Sequence, residues 1–154
     1  AQVDHMRLAK HLVKVSKKFS FDPALILAVI QTESDFQTHA ISRVGAVGLM
    51  QLLPSTARYF ARKNGFHFYR KKEDLYNPYV NIVLGVGYLA YLRDRFKHSQ
   101  RYLAAYNLGP TTVGKMVARN RFRLGKVTRY VHRIQRRSKG FRNLGFKQSA
   151  TRLN

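Results

Sequence analysis

Apolar positions along this chain recur at helical rather than alternating spacing, and two stretches carry most of them. In residues 22–34, DPALILAVIQTES, Asp then Pro reads as a helix N-cap and first helical position, and from Ala24 to Thr32 almost every residue is apolar. A helix that is apolar all round belongs inside a core. Glu33 lies one turn past Val29, so it continues a buried stripe with a carboxylate. The second stretch opens at Asn77-Pro78 and runs through Val80, Ile82, Val83, Val86, Leu89, Ala90 and Leu92 to about Phe96. Gly85 and Gly87 inside it each cost about 1 kcal/mol relative to Ala, which predicts close helix packing there.

Shorter elements surround these two. Residues 4–17 place Met6, Ala9, Leu12, Val13 and Val15 among basic residues and predict an amphipathic helix. Residues 35–53 are polar and broken by Gly45 and Gly48 before Leu49, Met50, Leu52 and Leu53 bury the end of the stretch. Pro54 starts a helix to about Lys63, closed by Asn64-Gly65. Residues 66–77 read as a hairpin or an irregular loop whose aromatics cover the core edge. Further helices are predicted over 99–106, ending at Leu108-Gly109-Pro110, over 111–120, and over the basic segment 126–137; the tail 138–154 shows little periodicity. No strand pattern is long enough for a sheet. The expected class is all-α, with at most a very small β element, in one domain over 1–154.

Charge changes the picture most. The 154 residues hold 29 Lys plus Arg against 7 Asp plus Glu, a net charge of +22, which predicts an anionic polymer or surface as partner. Cysteine is absent, which removes disulfide and thiolate chemistry. No apolar run reaches the length of a membrane span. A chain opening Ala1-Gln2 fits a processed or trimmed product, so export is an expectation here.

The chemistry available is narrow. There is no CxxC, HExxH, P-loop or GxSxG, and the six histidines are scattered singly, so no metal and no cofactor are expected. Asp4 and Asp22 are explained as helix starts, Asp94 by flanking Arg93 and Arg95, and Glu73 and Asp74 by a turn in a Lys-rich loop. Glu33 alone ends a buried run. Burial and a helix C-terminus both raise a carboxyl pKa, making it a candidate general acid; the alternative is a neutral or salt-bridged structural Glu. Asp35, two positions on, points away and is a poor second carboxylate for a retaining glycosidase, where the pair sits about 5 Å apart.

Four ordered blocks then carry a resemblance. Glu33-Ser34, Gly48-Leu49-Met50-Gln51-Leu52-Leu53-Pro54, the segment Leu75 to Leu92, and Ala105-Tyr106-Asn107-Leu108-Gly109-Pro110, followed by Tyr130-Val131 with Ile134, resemble the catalytic domain of bacterial lytic murein transglycosylases of the soluble type. That family has a goose-type-lysozyme-like core, and the resemblance covers about residues 20–137, leaving the basic tail 138–154 outside it.

The resemblance implies cleavage of the β-1,4 bond between N-acetylmuramic acid and N-acetylglucosamine in peptidoglycan, without water. Glu33 would act as acid and then as base, giving a 1,6-anhydro product. It also implies that Ser34 contacts substrate or steadies the acid, that Gly48 lets the loop approach the sugar, and that Met50 and Gln51 line the cleft. Tyr106 and Asn107 would hold the acetamido sugar, and Tyr130 would donate a hydrogen bond to Glu33. Plainer readings stand beside these: backbone bonding for Ser34, core packing for Met50, a helix cap for Asn107, a surface anchor for Tyr130.

The chain departs from the pattern where Lys126 and Val127 replace a Glu-Thr pair before Tyr130, and where Leu108 replaces a small Ala. The expected setting is the periplasm or cell envelope, as a monomer docked on anionic wall polymer by its basic surface. Two other readings use the same residues. One is a hydrolytic goose-type muramidase needing Asp74, Glu73 or Asp35 near the cleft. The other is a basic nucleic-acid-binding or non-catalytic wall-binding protein; nucleic acid is not expected, because the GLMQLLP and AYNLGP blocks have no reason to exist in such a protein.

Overall fold

A computed structural model describes residues 4–122 and 126–151, with side chains over 4–122 and 129–145. The side chains of Lys126 and Val127, the chain start at Ala1-Gln2 and the last residues of the tail lie outside the described residues. The described chain is all-α. Seven helices run in order: α1 His5–Lys18, α2 Pro23–Ser34, α3 Pro54–Lys63, α4 Pro78–Phe96, α5 Ser99–Leu108, α6 Pro110–Ala118 and α7 Lys126–Thr151. The β content among the described residues is two isolated bridges, Ile41 to Val47 and Val47 to Leu52, which fold the glycine loop back on itself.

Local chemistry sets the helix starts. The carboxylates of Asp4 and Asp22 accept from the backbone N–H of Arg7 and Ala24, and the Asn77 amide oxygen accepts from that of Tyr79. Pro23, Pro54, Pro78 and Pro110 occupy first-turn positions where a missing N–H costs nothing.

Although α2 is the most conspicuous helix in the sequence, α4 is the one both halves of the core share. Its Ile82, Val86, Leu89 and Leu92 pack with α1, α2, α5, α6 and α7, while Leu84 packs with Leu52, Phe60, Tyr69 and Leu75 on the other side. The two interior glycines of α4 admit neighbours a side chain would exclude. A Cβ at Gly85 would lie 2.4 Å from the Met50 sulfur, and one at Gly87 would lie 2.5 Å from the Phe60 ring. In α1, Leu12 and Val15 are buried as the pattern requires, but Met6 and Val13 face outward.

One region takes the second of its two expected forms, and another differs from the sequence expectation. Residues 66–77 form an irregular loop and a 3-10 turn over Lys72–Tyr76 rather than a hairpin; Tyr69 and Leu75 are buried and Phe68 is exposed. The last helix does not stop near 137 but continues to Thr151. Its buried face carries on through Ile134 and Ser138 to half-buried Phe141, at helical spacing. A serine in the stripe, with Gly140 and Gly145 nearby, hid that continuation. The extension gives α2 and α7 the largest helix–helix interface of the described chain. It is reinforced where Arg137 donates to the Thr32 hydroxyl at 3.0 Å and Arg142 meets Asp22 at 2.9 Å.

Candidate active site

Glu33 sits in the last turn of α2, half-buried, directly before a chain reversal. Asp35 caps that helix in the left-handed region at φ 49°, its N–H donating to Gln31, and its own side chain is exposed. The reversal separates the two acids. From α7, 97 residues on, the Tyr130 hydroxyl donates to Glu33 Oε1. Burial pushes the Glu33 carboxyl from its ordinary 4.5 to about 6, and the Tyr130 hydrogen bond, which favours the charged form, partly offsets it. No other carboxylate or cation among the described residues acts on its charge appreciably.

A second phenol approaches from α5. The Tyr106 hydroxyl donates to the Met50 carbonyl at 2.7 Å. Its pKa is pushed well above the ordinary range by burial first and then by the nearby Glu33 charge; Tyr130 is raised by the same two causes. Both phenols therefore stay protonated as donors. One half-buried carboxyl, bonded to the Tyr130 phenol with the Tyr106 phenol near enough to feel its charge, is equipped to give and take a proton near neutral pH.

The loop over residues 40–53 frames this group, and several expected site residues serve the frame. Ser34 is buried; its hydroxyl donates to Leu49 O at 2.8 Å and Ile30 O at 3.2 Å, tying the end of α2 to the loop rather than reaching Glu33. Gly48, at φ +79°, has no room for a Cβ, which would lie 2.2 Å from the Asn81 amide nitrogen and 2.5 Å from Leu75 O. Its glycine is required on the buried side of the loop. Met50 is fully buried, its sulfur against Gly85, so its side chain belongs to the core instead of lining the cleft. Gln51, at φ 50°, donates its amide to Gly48 O at 2.9 Å and Ala40 O at 3.1 Å, closing the turn. Asn107 is exposed at the C-terminal end of α5 beside Tyr106, and no intramolecular hydrogen bond occupies its side chain among the described residues.

Asn81 is the residue that sequence reasoning passed over. Fully buried on α4, it accepts from the Met50 N–H at 2.8 Å and donates to Val47 O at 3.0 Å and Leu75 O at 2.9 Å. Three bonds from one amide satisfy loop groups that water cannot reach. The signal was present, since Asn81 is polar on a buried helical stripe in the same way as Glu33.

The remaining acids stand apart. The Asp74 carboxylate accepts from the N–H groups of Arg70 and Lys71, which hold its pKa below the usual range, and Glu73 is exposed beside it. Asp94 pairs with Arg93 at 3.4 Å on the surface. Among the described residues no three His, Asp or Glu side chains gather around a common point. Leu108 is exposed, so its size strains nothing.

A helical body packed on a central buried helix, with one shielded glutamate at a helix end, is the lysozyme-like all-α arrangement. Solved structures share it. The 70 kDa soluble lytic transglycosylase of Escherichia coli superposes with a TM-score of 0.80 at 23% identity, covering 88% of this chain and 24% of that one. An inactive mutant of the lytic transglycosylase Slt of Pseudomonas aeruginosa gives a TM-score of 0.75 at 30% identity, covering 88% of this chain and 23% of that one. Residues 11–128 match the transglycosylase SLT domain, and the chain belongs to that family. The membrane-bound lytic murein transglycosylase C of Actinobacillus pleuropneumoniae serotype 5b is 41% identical over 113 residues, 67% of this chain and 31% of that protein. The chain thus spans about a third of that relative's length.

Proposed function

We propose that this chain is a peptidoglycan lytic transglycosylase, in which Glu33 carries both proton transfers. Protonated Glu33 gives its proton to the glycosidic oxygen, the bond from that oxygen to C1 of the N-acetylmuramoyl residue breaks, and the N-acetylglucosamine end leaves as an alcohol. Positive charge gathers at C1. The Glu33 carboxylate then takes the proton of the C6 hydroxyl as its oxygen bonds to C1, closing a 1,6-anhydro ring and restoring the acid. No water is consumed, and no second carboxylate is required. The observation that carries this reading is the isolation of Glu33, a carboxyl with pKa about 6 bonded to Tyr130 and, among the described residues, with no other acid acting on its charge. That the similar Pseudomonas Slt is inactive with one glutamate changed to glutamine supports a glutamate-dependent reaction here.

The other roles follow from position. Tyr130 orients Glu33 and tempers its pKa. Tyr106 fixes the Met50 carbonyl, and Asn107 offers a free amide to the substrate's acetamido group. Ser34, Gly48, Met50 and Gln51 hold the loop in shape. The chain works as one lysozyme-like unit and as a monomer in the cell envelope, its basic surface held by anionic wall polymer. Among the described residues no helix is long and apolar enough to cross a membrane.

Digestion of purified peptidoglycan followed by mass spectrometry tests the reaction: products about 18 Da lighter than those of a muramidase are expected. Reducing ends in their place would sink the transglycosylase assignment and favour hydrolysis.

A further inference from the structure

Three hollows adjoin along one flank of the molecule, away from Glu33. The first, of about 480 Å³, lies between α3 and the loop that follows it and is lined by Arg58, Arg62, His67 and Arg70 with Phe66 and Tyr69. The second, of about 520 Å³, shares Arg58 and Arg62 with the first and adds Tyr59 and Lys63. A third, of about 320 Å³, shares Lys63 with the second and reaches Tyr91 and Lys18. Shared walls make the three one track. Neither Tyr130, Tyr106 nor any residue of the loop framing Glu33 lines it.

Its third hollow also holds the surface pair Arg93–Asp94, but the other cations lack a carboxylate partner among the described residues. Arg58, Arg62, Lys63 and Lys18 are exposed, and none has an ion-pair partner among the described residues. Arg58 and Arg62 stand one turn apart on α3, a spacing at which like charges repel. The fold gains nothing from that arrangement, so the counter-charge is expected from a ligand.

Aromatic faces alternate with the cations. Lys63 Nζ lies 4.8 Å from the centre of the Tyr91 ring and 6.0 Å from that of Tyr59, which is 55% exposed. Ring faces receive the C–H faces of sugars, and arginine forks match carboxylates in two-point contact. A polymer of sugar rings with carboxylates at intervals satisfies both, across three adjoining hollows.

We infer that this track binds a second peptidoglycan strand, so that the enzyme is held on one strand by α3 while the cleft works on another. The inference rests on the peptidoglycan reading of the cleft for the identity of the polymer. Its test does not depend on turnover. The complete chain carrying Arg58→Gln, Arg62→Gln and Lys63→Gln together is compared with the unsubstituted protein for co-sedimentation with insoluble peptidoglycan over a range of salt. Turnover of a short soluble glycan fragment is followed alongside.

Loss of three exposed contacts is expected to weaken sedimentation about tenfold or more and flatten its salt dependence. Fragment turnover should stay within about twofold, because the track lies off the cleft. A control with Arg129→Gln, Arg133→Gln and Arg136→Gln removes the same charge from α7 and should sediment nearly as the parent does. Unchanged sedimentation of the α3 variant overturns the inference. Equal loss in both variants also overturns it, by making retention a matter of net charge. Single-stranded DNA is the third arm: loss of DNA binding with intact peptidoglycan binding in the α3 variant would assign the track to nucleic acid instead. If the products prove to be reducing sugars, the reaction assignment fails while the sedimentation result still stands or falls alone.

Discussion

Replacing Glu33 by Gln should abolish turnover and stabilise the protein, and the second effect should depend on pH. In the folded protein Glu33 holds its proton more tightly than in the unfolded chain, with a pKa of about 6 against 4.5. Between those values the native state binds more protons than the unfolded one, so unfolding free energy falls as pH rises through the window and stays lower above it. The displacement corresponds to about 2 kcal/mol of destabilisation at neutral pH. Gln keeps the shape, still accepts from Tyr130 and carries no charge to desolvate. The variant should therefore be about 1–2 kcal/mol more stable than the parent at pH 7.5, a rise in melting temperature on the order of 4 °C. At pH 4 Glu33 is mostly protonated in both states and the two proteins should nearly coincide. Urea unfolding at both pH values measures the difference directly. A Gln variant less stable at pH 7.5, or a gain equally large at pH 4, would refute the claim that burial of the charge is what raises the pKa. Turnover within a few-fold of the parent would separately remove Glu33 as the acid, since losing a positioned general acid costs about 10²–10⁴ in rate.

Tyr130→Phe removes the hydroxyl that holds the Glu33 pKa down, so that pKa should rise further. Because the acid must start protonated, the alkaline limb of kcat/KM should move upward while kcat falls; a limb that stays put or moves down contradicts the assigned role. Asn81→Leu strands the Met50 N–H and the Val47 and Leu75 carbonyls in the core and should cost about 3 kcal/mol by urea unfolding. A cost under about 1 kcal/mol would mean that relaxation of the loop re-pairs those groups, and that the Asn81 bracket does not hold it.

How far the sequence discloses the molecule depends on where each determinant lies. Caps and prolines are local, so Asp4, Asp22, Asn77, Pro54 and Pro78 announce helices that the structure keeps almost to the residue. The continuation of α7 is a tertiary matter: Ser138 and Phe141 lie on the buried face only because α2 is there to receive it. At the site, an acid on an apolar stripe was visible as an anomaly, and the same anomaly at Asn81 was masked by the richer apolar background of α4. Residue type could not say which side of the loop needs Gly48 or Met50. That is decided by Asn81 and Gly85, more than thirty residues later in the chain. The substitution pattern at Lys126 and Val127 leaves Tyr130 in place, because the packing of Val131 and Ile134 into the core fixes the register of the helix there.

That division has a consequence for the chemistry. The position of Glu33 is fixed by its own helix and by the Ser34 link to the loop, both within twenty residues of it. Its proton affinity is instead tuned in part by a helix almost a hundred residues away, which packs on α2 and supplies one phenol. What fastens that helix is apolar packing at Val131 and Ile134 and the bond from Arg137 to Thr32, the residue immediately before the acid. The exposed ion pair of Arg142 with Asp22 adds little by itself. Docking of α7 therefore both desolvates the carboxyl, raising its pKa, and delivers the hydroxyl that limits the rise. The two effects cannot be separated by moving the helix, only by altering Tyr130. A helix shifted away from α2 would return water to Glu33 and drop its pKa toward the ordinary carboxylate range, cutting further the fraction of the group that holds a proton to give near neutral pH. The chain places its acid with α2 and makes it an acid with α7.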